Sequence, residues 1–312
     1  MKEIELTIIA PMYNEEDNIH STFESISKVM MDFEYEWELI FVNDGSTDKT
    51  YELANELSLK YSYLKLVSYN DNKGRGFALK TGFKHASGNY IVTIDFDLSY
   101  NPEHILKLYS KLKDNTSIDI VLGSAYMKGG RTLGVPFFRL WISKLSNRFF
   151  SFFSPQNIKT NTCVLRGYRS QAINSIELNS NGKEIHLEIL SKATSLGYNI
   201  IEIPATLENR KGGTSKFSFM RFLRSHLDYS FFERPAILLG RIGFLSLILG
   251  TLIGFYLLNI YFNGNLNAQR PLVTASVILI LSGIQLLLFS LITIQLVNLR
   301  NEIILIQKQL KR

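Results

Sequence analysis

The sequence predicts an α/β protein: a mostly parallel sheet with flanking helices, followed by a C-terminal two-helix transmembrane hairpin. Three observations predict it. Short β-branched and apolar runs alternate with helical patterns as far as Ser124, and strand–helix alternation builds parallel sheets through right-handed crossovers. The run Tyr90 to Ile94 is unbroken, as parallel strands buried on both faces are. Residues 242–262 and 271–299 contain no charged side chain, and each run exceeds the ~20 residues that cross a ~30 Å hydrocarbon core.

Taken in order, strands are expected at Glu5–Ala10, Glu38–Asn43, Leu64–Ser68, Tyr90–Ile94 and Asp119–Leu122. Between them, helices are expected at about Asn18–Met31, Asp48–Tyr61, Gly76–Ala86 and Pro102–Lys113. Beyond Ser124 the rhythm breaks into a basic, aromatic stretch and then a short mixed region to Glu208. No internal repeat or Pro/Gly/Ser linker interrupts the chain. The expected organisation is a catalytic domain over 1–210, a juxtamembrane amphipathic segment over 211–235, the hairpin over 236–299 and a basic tail over 300–312.

The 312 residues carry a net charge of +6, which suits an anionic partner such as nucleic acid, a phosphate ligand or a membrane. The hairpin decides for the membrane, so no nucleic-acid partner is expected. Arg221, Arg224, Arg234 and Arg241 precede the hairpin and Arg300, Lys308, Lys311 and Arg312 follow it, whereas only Arg270 lies in the intervening loop. By the positive-inside rule both termini and the catalytic domain are cytoplasmic. Met1 to Ala10 reads as a strand and not as a secretory leader. Cys163 is the only cysteine, which leaves no intrachain disulfide. His20, His85, His104, His186 and His226 show no metal-ligand spacing and read as structural.

Two stretches interleave cations with large apolar groups: Phe137 to Phe150, which includes Arg139, Ser143, Lys144 and Arg148, and Phe217 to Arg224. Basic amphipathic helices lie in the lipid headgroup region, and a core-facing helix gives the same pattern. The second stretch adjoins the hairpin and is read as interfacial; the first stays open between the two. The helical tail from Asn301 fits either self-association into a homo-oligomer or a position on the membrane surface.

The chemistry starts from Asp95-Phe96-Asp97, which closes the apolar run Tyr90 to Ile94. Ligands of open α/β sheets bind beyond the carboxyl ends of the strands. Two acids there suit a hard divalent cation shared with a diphosphate; alone, the pair equally fits a solvated turn. Pro11-Met12-Tyr13-Asn14-Glu15 and Asn43-Asp44-Gly45-Ser46-Thr47-Asp48 place polar groups at the same edge. Lys73-Gly74-Arg75-Gly76 opens a helix, where glycines admit a ligand to the backbone and cations meet phosphate. Leu79 stands where a dinucleotide-binding fingerprint needs its third glycine, so no NAD site is expected. Glu208 to Lys216 offers a second cationic, Gly-rich loop suited to a diphosphate.

In this order, with Gly74 to Phe83, Pro102-Glu103, Arg139-x-x-x-Ser143-x-x-x-Asn147, Arg166-Gly167-Tyr168-Arg169 and Arg210 to Lys216, the chain resembles the family 2 inverting glycosyltransferases. It is most similar to the polyprenyl-phosphate glycosyltransferases of the dolichyl-phosphate mannose synthase type, in their two-membrane-helix branch. The resemblance implies a GT-A (Rossmann-like) fold and transfer of a hexose from a nucleotide-sugar, UDP-linked in that branch and GDP-mannose in the mannosyl one, to a membrane polyprenyl or dolichyl phosphate. It implies that Pro11, Tyr13, Glu15, Asp44 and Lys73 bind the nucleotide-sugar, that Asp95 holds its ribose side and that Asp97 ligates Mg²⁺ or Mn²⁺. Arg210 and Lys216 close over the leaving diphosphate, and Arg139 and Ser143 bind the acceptor phosphate. Four positions depart from the family pattern: Ser99 for a frequent Gln, Ala125 for an Arg, Thr160 for an Asp and Val164 for a Gly. They bear on metal and acceptor contacts, and they also permit a catalytically degenerate membrane-bound binding or scaffold protein, a reading that Asp95, Asp97, Arg210 and Lys216 together argue against. The processive synthases of the same chemistry carry Gln-x-x-Arg-Trp, and neither Trp37 nor Trp141 lies in such a motif.

Overall fold

The computed structural model describes residues 3–134, 158–160, 163–208, 235–263 and 271–310. The chain forms two compact units, 1–217 and 218–312.

In the first unit, strands β1 (Leu6–Met12), β2 (Trp37–Asp44), β3 (Leu64–Tyr69), β4 (Tyr90–Thr93) and β5 (Ile120–Ser124) alternate with helices α1 (Ile19–Met30), α2 (Thr50–Lys60), α3 (Arg75–His85) and α4 (His104–Asp114). Every expected strand and helix is present, with ends displaced by a few residues. The apolar runs are buried as their composition demands: Leu6, Ile8, Ile9 and Ala10 of β1 and Leu39 to Val42 of β2 have no exposed surface. Helix α1 turns Ile19, Phe23, Ile26 and Met30 inward, the 3.6-residue stripe of a helix lying on a sheet.

After Ser124 come β6 (Arg131–Leu133), β7 (Arg166–Arg169), α5 (Ser170–Asn174), α6 (Ile185–Ser195), β8 (Ile200–Pro204) and β9 (Thr206–Glu208). The main sheet has the order β3-β2-β1-β4-β7-β5-β8. All its neighbours are parallel except β7, which runs antiparallel between β4 and β5. The sequence reading had no strand there. Arg166-Gly167-Tyr168-Arg169 has neither alternation nor an apolar run, yet Arg166 and Tyr168 are both fully buried. Arg166 is accommodated by donating from Nε to the Cys163 carbonyl and from a terminal nitrogen to that of His186, each at 2.9 Å. A separate parallel ribbon pairs β6 with β9, Arg131 opposite Thr206 and Leu133 opposite Glu208.

The second unit contains α7 (Pro235–Phe262) and α8 (Pro271–Leu310). Spans of 25 and 29 residues in them are long and apolar enough to cross a membrane, and only 17% and 11% of their most apolar windows are buried. A soluble core helix of this composition would be mostly buried. The helices pack closely: a methyl on Gly243 would lie 2.9 Å from the Gly283 carbonyl. Hydroxyls bond across the pair, Ser246 to the Leu279 carbonyl at 2.8 Å, Ser276 to that of Gly250 at 2.9 Å and Ser290 to that of Ala236 at 2.6 Å. Small residues and hydroxyl bridges are what holds helices together in lipid, where apolar surface gives no net drive.

Candidate active site

Strands β1, β2 and β4 run parallel, and their register sets Met12 beside Asn43 and Ile9 beside Thr93. The loops that follow them therefore open at one edge. The first two are knitted together. Asn14 adopts a left-handed conformation, φ 53°; its N–H donates to Ser46 Oγ at 3.0 Å and its Oδ1 accepts from the Thr47 N–H at 2.9 Å. Glu15 donates its N–H to Thr50 Oγ1 at 2.8 Å, and its carboxylate accepts from Asn18 Nδ2 at 2.6 Å. Pro11 lies in the last turn of β1 and Tyr13 stands 44% exposed beyond it.

Asp44 is buried at the end of β2. Its carboxylate accepts from the Tyr69 hydroxyl and the Lys73 N–H, both at 2.8 Å, and from the Gly74 N–H at 3.0 Å. Burial and the adjacent Asp44 push the Tyr69 phenol up, which keeps it a donor. Asp44 thus fixes the loop that presents Lys73, whose ammonium lies over the Phe77 ring, 4.8 Å from its centroid.

The glycines of that loop serve a different purpose from the one expected. Gly74 has φ +95°, and a Cβ there would meet the Asn181 carbonyl oxygen at 2.6 Å; one on Gly76 would meet Asn181, Gly182 and Ser180. The Gly76 and Phe77 N–H groups both donate to the Asn181 carbonyl, at 2.7 and 3.1 Å. The Gly76 and Phe77 amides at the start of α3 are therefore taken up by the loop before α6. Glu188 holds that loop, accepting from the Asn179 and Ser180 N–H groups at 2.8 Å each and from Lys192 at 2.6 Å. Burial alone would raise its carboxyl; the Lys192 ammonium and the two amides outweigh this and hold it below the usual range.

The Asp95-Phe96-Asp97 turn separates its residues by face. Phe96 is buried edge-on against Phe41, ring centroids 4.9 Å apart, and its carbonyl accepts from the buried Thr22 hydroxyl at 2.7 Å. The two acids lie on either side of this anchor. Asp95 pairs with Arg75 at 3.4 Å. Asp97 Oδ1 accepts the Ser99 N–H at 3.0 Å, with Leu98 between them at φ 47°. Among the described residues no group of three or more His, Cys, Asp or Glu converges. Carboxylates of this kind suit a hard cation, and an ion held here would need oxygens from a ligand and water to complete its shell.

Ribbon β6–β9 meets this turn. Glu208 donates its N–H to the Ser99 carbonyl at 2.8 Å, and Tyr100 bridges Leu207. Because β6 and β9 are parallel, Leu133 and Glu208 end the ribbon side by side. Arg139 and Ser143 follow Leu133 in sequence, Arg210 and Lys216 follow Glu208, and all four lie outside the described residues, as do both amphipathic stretches. The structure thus brings Pro11, Tyr13, Glu15, Asp44, Lys73, Asp95 and Asp97 to one edge.

Arg75 was missed as an individual site residue. Its signal was its place in the Lys73–Gly76 motif, but nothing in the sequence pairs it with Asp95. Of the four departures, Thr160 is the one whose side chain makes a hydrogen bond among the described residues. Ser99 acts here through its main chain. Thr160 bonds Ser124 Oγ at 2.6 Å and donates its N–H to Glu202 at 2.7 Å. Ala125 is buried, and the Val164 carbonyl accepts from Thr93 Oγ1.

Residues 7–176 match the family model described as glycosyl transferase family 2. A dolichol-phosphate mannosyltransferase of Pyrococcus furiosus is 35% identical over 215 residues, 68% of this chain and 59% of that protein. The match thus spans less than two thirds of that relative's length. A dodecaprenyl-phosphate galacturonate synthase of Rhizobium johnstonii is 29% identical over 92% of this chain and 86% of its own. Among solved structures, a Mycobacterium tuberculosis glucosyl-3-phosphoglycerate synthase, in complex with Mn²⁺, UDP and glucosyl-3-phosphoglycerate, superposes with a TM-score of 0.55 at 20% identity, covering 72% of this chain and 79% of that one. The mostly parallel mixed sheet with flanking helices is GT-A-like, and the matched model takes in β1 to β5 and the Asp95–Asp97 turn: the chain belongs to glycosyl transferase family 2.

Proposed function

We propose that the protein transfers a hexose from a nucleotide-sugar to a polyprenyl phosphate carried in a membrane, releasing the nucleoside diphosphate and inverting the anomeric centre. The observation that carries this reading is the meeting of the Asp97 turn with the ends of β6 and β9, the starting points of the two cationic segments, in a chain that also has two membrane-length apolar helices. The relatives named above, two of them sugar transferases to polyprenyl phosphates, support it.

The loops after β1 and β2 would take the nucleoside, with Asp95 on the ribose side. Arg75 and Lys73 would flank the diphosphate as side-chain cations. Asp97 would hold Mg²⁺ or Mn²⁺, the latter present in the Mycobacterium enzyme of the same fold; when bound, the ion supplies charge for the departing diphosphate. Arg210 and Lys216 would add to that charge, and Arg139 and Ser143 would place the acceptor. A phosphate monoester has its second pKa near ~6 and is already nucleophilic at neutral pH, so this chain needs to orient it and not to deprotonate it. The catalytic unit and both chain ends are assigned to the cytoplasmic side.

A UDP-sugar is the favoured donor; the Pyrococcus relative favours GDP-mannose as the second reading. The test is full-length protein in nanodiscs with short polyprenyl phosphate, Mn²⁺ or Mg²⁺, and UDP-glucose, UDP-GlcNAc, UDP-galactose or GDP-mannose in turn, with lipid-linked product followed by mass spectrometry. One donor is expected to give product, and Asp97→Ala to lower the rate at least about a hundredfold. Turnover by Asp97→Ala that still responds to metal would refute the ligand assignment.

A further inference from the structure

We propose that His104 is a positioning residue: its neutral imidazole latches ribbon β6–β9 to the Asp97 turn and so sets where both cationic segments begin. What those segments do rests on the functional reading above; the latch does not.

His104 opens α4 and is 5% exposed. Its Nε2 accepts the Thr206 N–H at 3.1 Å, which assigns the ring proton to Nδ1. Thr206 is the first residue of β9. At the other end of this three-residue strand Glu208 bonds the Ser99 carbonyl, Leu207 bridges Tyr100, and Ser99 bonds Asp97. On its other side β9 pairs with β6, where Arg131 donates its N–H to the Ala205 carbonyl at 3.1 Å. A two-stranded ribbon this short has no stability of its own. Its place depends on what grips its ends: at the end away from Ser99 the Ala205 N–H donates to the Ser124 carbonyl at 3.0 Å, and His104 adds a side-chain grip on Thr206 itself. Loss of that acceptor leaves a half-buried N–H without its partner, a strong drive to detach the strand.

The experiment uses the full-length protein in nanodiscs and two variants. His104→Gln keeps an acceptor near the position of Nε2; His104→Leu removes it. Hydrogen exchange by mass spectrometry reads the amides of 205–208. Wild type and His104→Gln are expected to protect them, and His104→Leu to exchange them at least tenfold faster while β1 and β2 stay unchanged, which also verifies folding. Steady-state kinetics with the donor identified above should show kcat lowered about tenfold in His104→Leu, with a smaller change in donor KM, and restored in His104→Gln. Unchanged exchange in His104→Leu would overturn the latch. Faster exchange with unaltered kinetics, or a Gln variant no better than Leu, would overturn the positioning role. Absence of transfer by wild type counts against the functional reading alone, since the exchange measurement still decides the latch.

Discussion

The two sides of the active-site edge are built differently. After β1, β2 and β3 the loops are closed by their own side chains, with Asn14 on Ser46 and Thr47, Glu15 on Thr50 and Asp44 on Tyr69 and the Lys73–Gly74 amides. Ribbon β6–β9 is tied mainly by main-chain bonds to Ala205, Ser99 and Tyr100 and by one imidazole. Side-chain networks fix one geometry and lose it when a member changes; short ladders open locally at small cost. The difference teaches that a rigid, preformed half is set against an adjustable one.

Three measurements break or sharpen this contrast. The largest effect is expected from Glu188→Ala. It removes the acceptor of Asn179, Ser180 and Lys192 beneath the cap of α3, and leaving those donors unpaired should cost about 3 kcal/mol in chemical denaturation. A loss below about 1 kcal/mol would show that the cap does not depend on the network.

Next is pH. Burial first, then Arg166, Arg75 and Lys183, hold His186 well below its ordinary 6.5, and burial followed by Lys107, against the opposing pull of Glu103, lowers His104. Both fold as neutral groups. Their depressed values leave stability flat above about 6.5, and it falls as pH drops below that, because only the unfolded chain takes up the protons. The slope is at most about 1.4 kcal/mol per pH unit for each. The lowered carboxyls of Glu5 and Glu188 act only further down, below about 4.5. Denaturation midpoints between pH 7 and 5 check this, and a flat profile would place both rings in contact with water.

The smallest effect is expected for Tyr69→Phe, which takes one donor from Asp44 while the two amides remain. A loss of about 1 kcal/mol in stability, with a modest rise in donor KM, is the expected outcome. An unchanged KM would separate Asp44's structural work from donor binding.

The rigid half was also the legible half. Its strands announce themselves as short, mostly apolar runs that lead into Asp or Asn, and the acids sit where sheet geometry puts ligands. Strand β7 was hidden because a buried arginine and tyrosine carry no hydrophobic pattern; the arginine's burial depends on the carbonyls of Cys163 and His186, which sequence does not align. The meaning of Gly74 and Gly76 was legible only in part. A glycine reports that something approaches closely, and here it is the Asn181 backbone and not a ligand. The Arg75–Asp95 pair and the His104–Thr206 bond join distant segments through single contacts that leave no periodic trace.

The parallel pairing of β6 with β9 has a consequence for how such chains diversify. A ladder of amides and carbonyls is indifferent to the side chains it carries, so the stretches spliced in after Leu133 and Glu208 can be exchanged as cassettes while their anchorage stays the same. Under the proposed function, chimaeras with junctions at those two residues would exchange the proposed acceptor and leaving-group contacts together and leave the loops after β1 and β2 of the recipient untouched.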